Sequence, residues 1–259
     1  MRHYLTLGTL FAVVLLPSLA GAENTSLQDV VMYKAARAAE SASAVDVRTQ
    51  DRFIELAYDG NYDWVKTLYK QGLVQLDGKH SRALDGATAL IATARADSDA
   101  FYKIGYVNYQ RIVSFLLDKG ADKNAQDNSG MTALMWAAYN KHTFMVQLLR
   151  RAGANITVTD QNGATAIHWA ASGGQAKILR RLVEDWPGGV FQKDFAGNDP
   201  LMYATAEGNV EIVKFLLGVY EANNIDIMSA NKSGKTARDI AQEKGHMELV
   251  ELFDNVAAR

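Results

Sequence analysis

The sequence predicts an all-α fold, a solenoid of stacked helix-turn-helix units joined by short hairpin-like turns. Three observations carry that reading. One run of residue types is written three times: Asp127 to Ala138 reads DNSGMTALMWAA, Asp160 to Ala171 reads DQNGATAIHWAA, and Asp194 to Thr205 reads DFAGNDPLMYAT. The glycines inside these copies fall at 130, 163 and 197, spacings of 33 and 34 residues, and a fixed period in that range marks a repeat array. Each copy also has the same grammar. A glycine turn is followed by Thr or Asp, a short small-residue first helix, and a second helix such as MVQLL or EIVKFLL.

Residues 1–22 stand apart from the array. Arg2 gives a positive start, Leu5 to Leu16 is apolar, and Pro17 leads into Ala20-Gly21-Ala22, the small-x-small pattern of a cleaved signal peptide. That apolar stretch is too short to span a bilayer, so no stable membrane anchor is expected. Cleavage near Ala22 would release a chain beginning at Glu23. The sequence has no cysteine, hence no disulfide and no thiol for a lipid anchor. The expected location is periplasmic or secreted.

Residues 23–50 read as an N-terminal helical extension. Ser26 to Ser41 has helical spacing, with Leu27, Val30, Val31, Tyr33 and Ala38 on or near one face. It either caps the first repeat or forms a partly ordered linker. The array itself is expected over 51–259, as about six repeats with the first and last degenerate. Phe53 to Gly72 keeps two helices without the turn, Gly86 and Thr88 open the next copy, and Gly234, Thr236, Gly245 and His246 mark the last.

Within a copy, glycine supplies positive φ at the turn, and the following Thr or Asp caps the first helix by accepting from a free N–H. Ala137-Ala138 and Ala170-Ala171 are small where helices approach closely. Met145, Val146, Leu148 and Leu149, like Ile178, Leu179, Leu182 and Val183, form the apolar face that neighbouring repeats bury. Trp136, Trp169 and Tyr203 recur at spacings of 33 and 34. They read as packing between repeats, set against the alternative of a stacking ladder for bases or sugars.

Regularity fails in three places. Gly86 and Gly130 are 44 residues apart, so about eleven extra residues form an insertion near 95–109, RADSDAFYKIGYVNY, ahead of a second helix expected near Gln110. Its aromatics include Phe101, Tyr102, Tyr106 and Tyr109, which either fold back on the first helices or form part of a binding loop. Trp186-Pro187-Gly188-Gly189 replaces the usual Gly-Ala, and the connection after Leu217 runs long, through Tyr220 to Met228.

This grammar resembles the ankyrin repeat, in which a Thr-Pro-Leu-His-like tetrapeptide opens the first helix. The counterparts are Thr88-Ala-Leu-Ile, Thr132-Ala-Leu-Met, Thr165-Ala-Ile-His and Asp199-Pro-Leu-Met, of which the third keeps His and the fourth keeps Pro. The resemblance implies a protein partner bound on a concave surface made of turn tips and exposed first-helix residues. Those places hold Asn128, Met131, Tyr139 and Asn140, then Gln161, Asn162, Ser172 and Gly173, then Phe195, Asn198 and Glu207, with Tyr139 and Phe195 as anchors. Tyr102 and Tyr106 of the insertion are added to this set. His142 and His246 are expected in structural hydrogen bonds.

Composition narrows the alternatives. The 259 residues carry 27 basic and 29 acidic side chains, and loss of Arg2 would leave the mature chain at −3. That balance argues against a nucleic-acid partner. Arg150, Arg151, Lys177, Arg180 and Arg181 read as a solvated outer face. Lys232-Ser-Gly-Lys-Thr236 ends like a phosphate loop, but Ser229 stands where the motif needs its first glycine. His80, His142, His168 and His246 lack metal-ligand spacing, and no nucleophile elbow is present. No cofactor, metal or catalytic residue is expected, and the chain reads as a monomeric binding module. The alternatives are a small-ligand or hydrolytic function at 95–109 and a structural envelope component.

Overall fold

The computed structural model describes residues 46–81, 84–96 and 106–258; the expected signal peptide, most of the N-terminal extension and Tyr102 lie outside them. The described helices run in order: α1 (Val47–Tyr58), α2 (Tyr62–Lys70), α3 (Ala89–Arg95), α4 (Tyr106–Asp118), α5 (Ala133–Tyr139), α6 (Thr143–Arg151), α7 (Ala166–Gly173), α8 (Ala176–Asp185), a 3-10 helix (Pro187–Phe191), α9 (Pro200–Ala206), α10 (Val210–Ala222), α11 (Ala237–Lys244) and α12 (Met247–Ala257). Among the described residues there is no strand, just an isolated bridge between Gln126 and Thr132.

The helices pair into six hairpins. Odd-numbered helices pack on one another as an inner layer, and even-numbered helices pack as an outer layer. Sequence sets the start of each inner helix. The hydroxyl of Thr88 accepts from Ile91 N at 3.4 Å, that of Thr132 from Met135 N at 3.3 Å, and that of Thr236 from Asp239 N at 3.2 Å. Asp199 does the same for Met202 N at 2.9 Å. Each bond satisfies one of the orphan donors of a helix N-terminus. Ala137, Ala138, Ala170 and Ala171 are fully buried, as their size requires. Where α7 crosses α5 the spacing is tighter still: a Cβ on Gly173 would lie 2.6 Å from the backbone oxygen of Tyr139.

The turns stack as well. Successive tips are joined by backbone bonds from Asn128 N to Asp85 O (2.8 Å), Gln161 N to Ser129 O (3.1 Å), Phe195 N to Asn162 O (2.8 Å) and Lys232 N to Ala196 O (2.9 Å). Gly130, Gly163, Gly197 and Gly234 all take positive φ. At Gly130 a second constraint applies, because a Cβ there would come within 2.8 Å of Gln161 N in the next tip.

The irregular segments resolve into packing. The first helix begins at Val47, capped by Asp46, ahead of the boundary drawn at 51. Helix α4 begins at Tyr106 instead of near Gln110, so the end of the insertion extends a helix. Tyr109 is buried and its hydroxyl donates to Tyr58 O at 2.9 Å. The extra residues after Leu217 likewise lengthen α10 to Ala222. Trp186 and Pro187 open the 3-10 helix, whose Val190 enters the core and accepts from the Tyr220 hydroxyl at 2.8 Å.

Gly130→Ala should therefore destabilise the fold by about 2–4 kcal/mol, combining the left-handed backbone penalty with the clash into the next tip. Gly72 has φ +70 but faces open space, with no atom within 4 Å of where a Cβ would sit. Gly72→Ala should cost about 1 kcal/mol, and urea melts of the two variants check the difference.

Candidate partner-binding surface

The inner face is organised by one aspartate per repeat. Asp127 Oδ1 accepts from Ser129 N at 2.9 Å and Met131 N at 3.0 Å, closing the turn, while Oδ2 accepts from Trp136 Nε1 at 2.8 Å. Asp160 repeats this with Asn162 N (2.8 Å), Ala164 N (2.9 Å) and Trp169 Nε1 (3.1 Å). Asp194 repeats it with Ala196 N (2.9 Å), Asn198 N (2.7 Å) and the Tyr203 hydroxyl (3.0 Å). All three are buried. In the last repeat Asn231 takes over, accepting from Ser233 N at 2.9 Å and Lys235 N at 3.1 Å. The residue nine positions on is then Ile240, which has no polar tip to hold.

These bonds turn the polar tips of the rings inward and leave hydrocarbon outward. Trp136, Tyr139, Trp169 and Tyr203 then form a continuous stripe. Consecutive ring centroids are 6.4, 5.6 and 6.0 Å apart, and each ring is nearly perpendicular to the next. At one end the Arg95 guanidinium lies 4.7 Å over the Trp136 ring. The column is thus half-buried packing on one side and an accessible apolar strip on the other. Burial, reinforced by the Asp194 and Asp160 carboxylates, pushes the Tyr203 phenol well above its ordinary range.

The far ends of the inner helices are tied to the next repeat by side chains at the start of the outer helices. His142 Nε2 meets Ala96 O at 2.6 Å, Asn209 Nδ2 donates to Ser172 O at 2.9 Å, and His246 Nε2 meets Ala206 O at 3.2 Å. These contacts satisfy carbonyls at helix C-termini, the structural role expected of both histidines. His168 is fully buried, and its Nδ1 accepts from Thr165 N at 3.1 Å, completing a capping box. Burial lowers its pKa, outweighing the nearby Asn198 and Gln192 carbonyls and the Asp194 charge.

The sequence-derived site residues divide. Asn128, Tyr139, Gln161, Asn162, Phe195 and Glu207 are exposed or partly so, Phe195 at 65% and Tyr139 at 38%. Tyr139 ends α5 while Phe195 sits on the turn before α9, its ring beside Gly163, so the two anchors lie at opposite ends of the inner helices. Met131 is a correction: it is 5% exposed and belongs to the core, because the turn hydrogen bonds to Asp127 aim it inward. Asn140 is half-buried, and its amide donates to Ala94 O at 3.0 Å as an inter-repeat tie. Asn198 is half-buried between Asp194 and Asn231. Tyr106 is exposed and sits edge-on to Phe144, a convex-side position away from the stripe. The residues that sequence reasoning missed are Asp127, Asp160 and Asp194. Their recurrence nine positions before Trp136, Trp169 and Tyr203 was the available signal.

The family model describing ankyrin repeats (3 copies) matches the chain in overlapping stretches at 53–160, 98–194, 152–229 and 189–257. The chain belongs to the ankyrin repeat family. Ankyrin arrays are protein–protein interaction modules. Among curated relatives, the chain is 32% identical over 196 residues to tyrosine-protein kinase HTK16 of Hydra vulgaris, a match spanning 75% of this chain and 19% of that protein. It is 29% and 28% identical over 143 residues to ankyrin repeat domain-containing protein 63 of Mus musculus and Homo sapiens, covering 55% of this chain and 28% and 29% of theirs. The chain spans less than a third of the length of each. Among the described residues no helix is long and apolar enough to cross a membrane, and no cluster of His, Asp and Glu is placed to hold a metal.

Asp160→Ala should destabilise the array by about 3 kcal/mol, since it strands two turn donors and an indole N–H. Asp160→Asn, which keeps the turn as Asn231 does, should cost about 1 kcal/mol, and denaturant melts measure both. His168 supplies a pH test. Its folded pKa lies below the ordinary 6.5, so the unfolded chain binds its proton first, and stability present above that value is lost as pH falls below it. Asp199, whose pKa is raised by burial, acts with the opposite sign in more acidic solution. The difference in melting temperature between wild type and His168→Asn should therefore shrink as pH drops from about 7 to about 5, and a constant difference would contradict the assignment.

Proposed function

We propose that this ankyrin array is exported, after cleavage near Ala22, and binds a periplasmic or secreted protein partner across its concave surface, so as to protect, stabilise or inhibit it. The observation that carries the binding reading is the stripe of Trp136, Tyr139, Trp169 and Tyr203, whose three carboxylate-bonded rings have their polar tips tied inward so that the outward surface is apolar. Half-buried aromatics of this kind with an exposed Tyr139 among them, and with the polar tips Asn128, Gln161 and Asn162 exposed on the same repeats, have the composition of an interface hot spot. Export is supported by the tripartite pattern of residues 1–22 and by the absence of cysteine. The small-ligand reading at 95–109 draws less support, because Tyr109 is committed to packing beneath Tyr58.

Affinity capture with the chain from Glu23 to Arg259, on periplasmic and secreted fractions of its source, tests this. One stoichiometric protein partner is expected, with affinity lowered at least about tenfold by Tyr139→Ala combined with Phe195→Ala. Unchanged affinity in that variant would refute the surface assignment. Recovery of the native chain with an N-terminus other than Glu23 would refute the cleavage site.

A further inference from the structure

The stripe lies over a row of negative charge. Asp127, Asp160 and Asp194 are 5%, 5% and 7% exposed, and each hydrogen-bonds the ring above it. Among the described residues none of them makes an ion pair, and the neighbouring Lys193 donates instead to Ser229 at 2.7 Å. Buried carboxylates without a counter-cation project a negative potential that solvent screens poorly. Aromatic faces are themselves negative, and a hydrogen bond from the indole N–H to a carboxylate adds electron density to the ring. Glu207, four residues after Tyr203 and hence beside it, is a carboxylate with no ion pair among the described residues.

One ring of the stripe already holds a cation. Arg95 places its guanidinium over Trp136 at 4.7 Å, held by Leu84 O at 2.9 Å and by Asp85. Trp169 and Tyr203 have the same carboxylate beneath them and no intrachain cation stacked on them among the described residues.

We propose, building on the protein-binding reading above, that the occupant of this stripe is a basic extended segment of the partner protein, whose arginine side chains meet the stripe at Trp169 and Tyr203, the two rings that are bonded to a carboxylate and hold no intrachain cation among the described residues. The 6.0 Å step from Trp169 to Tyr203 matches alternate residues of an extended chain, which lie about 6.5 Å apart on one side of a strand. The segment therefore carries arginine at every second position, with Glu207 pairing the last.

The test uses the chain from Glu23 to Arg259 and a blocked heptapeptide alternating arginine and serine, with its citrulline counterpart as the neutral isostere, followed by calorimetry and tryptophan fluorescence. The arginine peptide should bind at least about tenfold more tightly than the citrulline peptide, the scale of two stacked cations. Glu207→Gln, at an exposed position whose side chain makes no hydrogen bond or ion pair among the described residues, should weaken it by about threefold. Trp169→Leu should abolish the fluorescence response, and circular dichroism checks its fold. Equal binding of the two peptides, or binding of neither, overturns the inference, as does competition by free arginine at equal concentration, which would make the occupant a small cation. If a protein partner is captured and released by the Tyr139 and Phe195 substitutions while the arginine peptide fails, the binding reading stands and this one falls. If no partner is captured, the binding reading itself fails.

Discussion

One aspartate carboxylate per repeat, shared between a turn and an aromatic ring, is the interaction on which the middle of this array depends. One oxygen gathers two backbone N–H groups and closes the turn at Asp127, Asp160 and Asp194. The other reaches Trp136, Trp169 or Tyr203 and so fixes the first turn of the inner helix against the tip. Charge-assisted bonds of this kind are stronger than neutral ones, and here they also prevent a buried charge from going unsatisfied. The turn tips can then hydrogen-bond to each other, because each tip has one geometry. Asn231 and Ile240 make the contrast within a single chain: where the position nine residues on holds no polar ring, an amide stands in place of the carboxylate.

Architecture and surface chemistry follow from the same bonds. An indole or phenol that donates inward cannot donate outward, so a half-exposed ring becomes an apolar contact. The inner helices from α3 to α11 are only about two turns long and would be unstable alone; caps, tips and side-chain ties such as His142 to Ala96 hold them in register. The continuous core runs from Phe53 to Phe253 without a second domain among the described residues. The stripe is thus presented on rigid elements, which limits the entropy lost when a partner binds.

Much of this was legible in the residues. The period of the glycines, the caps Thr88, Thr132, Asp199 and Thr236 and the buried Ala pairs stand as read, because each depends on local geometry that a single residue type satisfies; at Thr165 the hydroxyl meets His168 Nδ1 instead. Other features required contacts that spacing does not encode. Met131 follows a turn glycine and looks like a tip residue, yet the turn hydrogen bonds to Asp127 direct it into the core. Asn140 looks like a surface polar residue, but its amide caps carbonyls of the preceding inner helix. The carboxylates of Asp127, Asp160 and Asp194 carry no signal in the spacing of the repeat alone. Their partners lie nine residues away, and only the folded hairpin brings the two together.

The most direct measurement is a double-mutant cycle on stability that combines Asp160→Asn with Trp169→Phe. If the carboxylate and the indole act as one strut, the two changes should be non-additive, with a coupling of about 1 kcal/mol or more, because either substitution alone already breaks the shared bond. Additive effects would mean that turn and ring are held independently, and that the strut is not what organises this face.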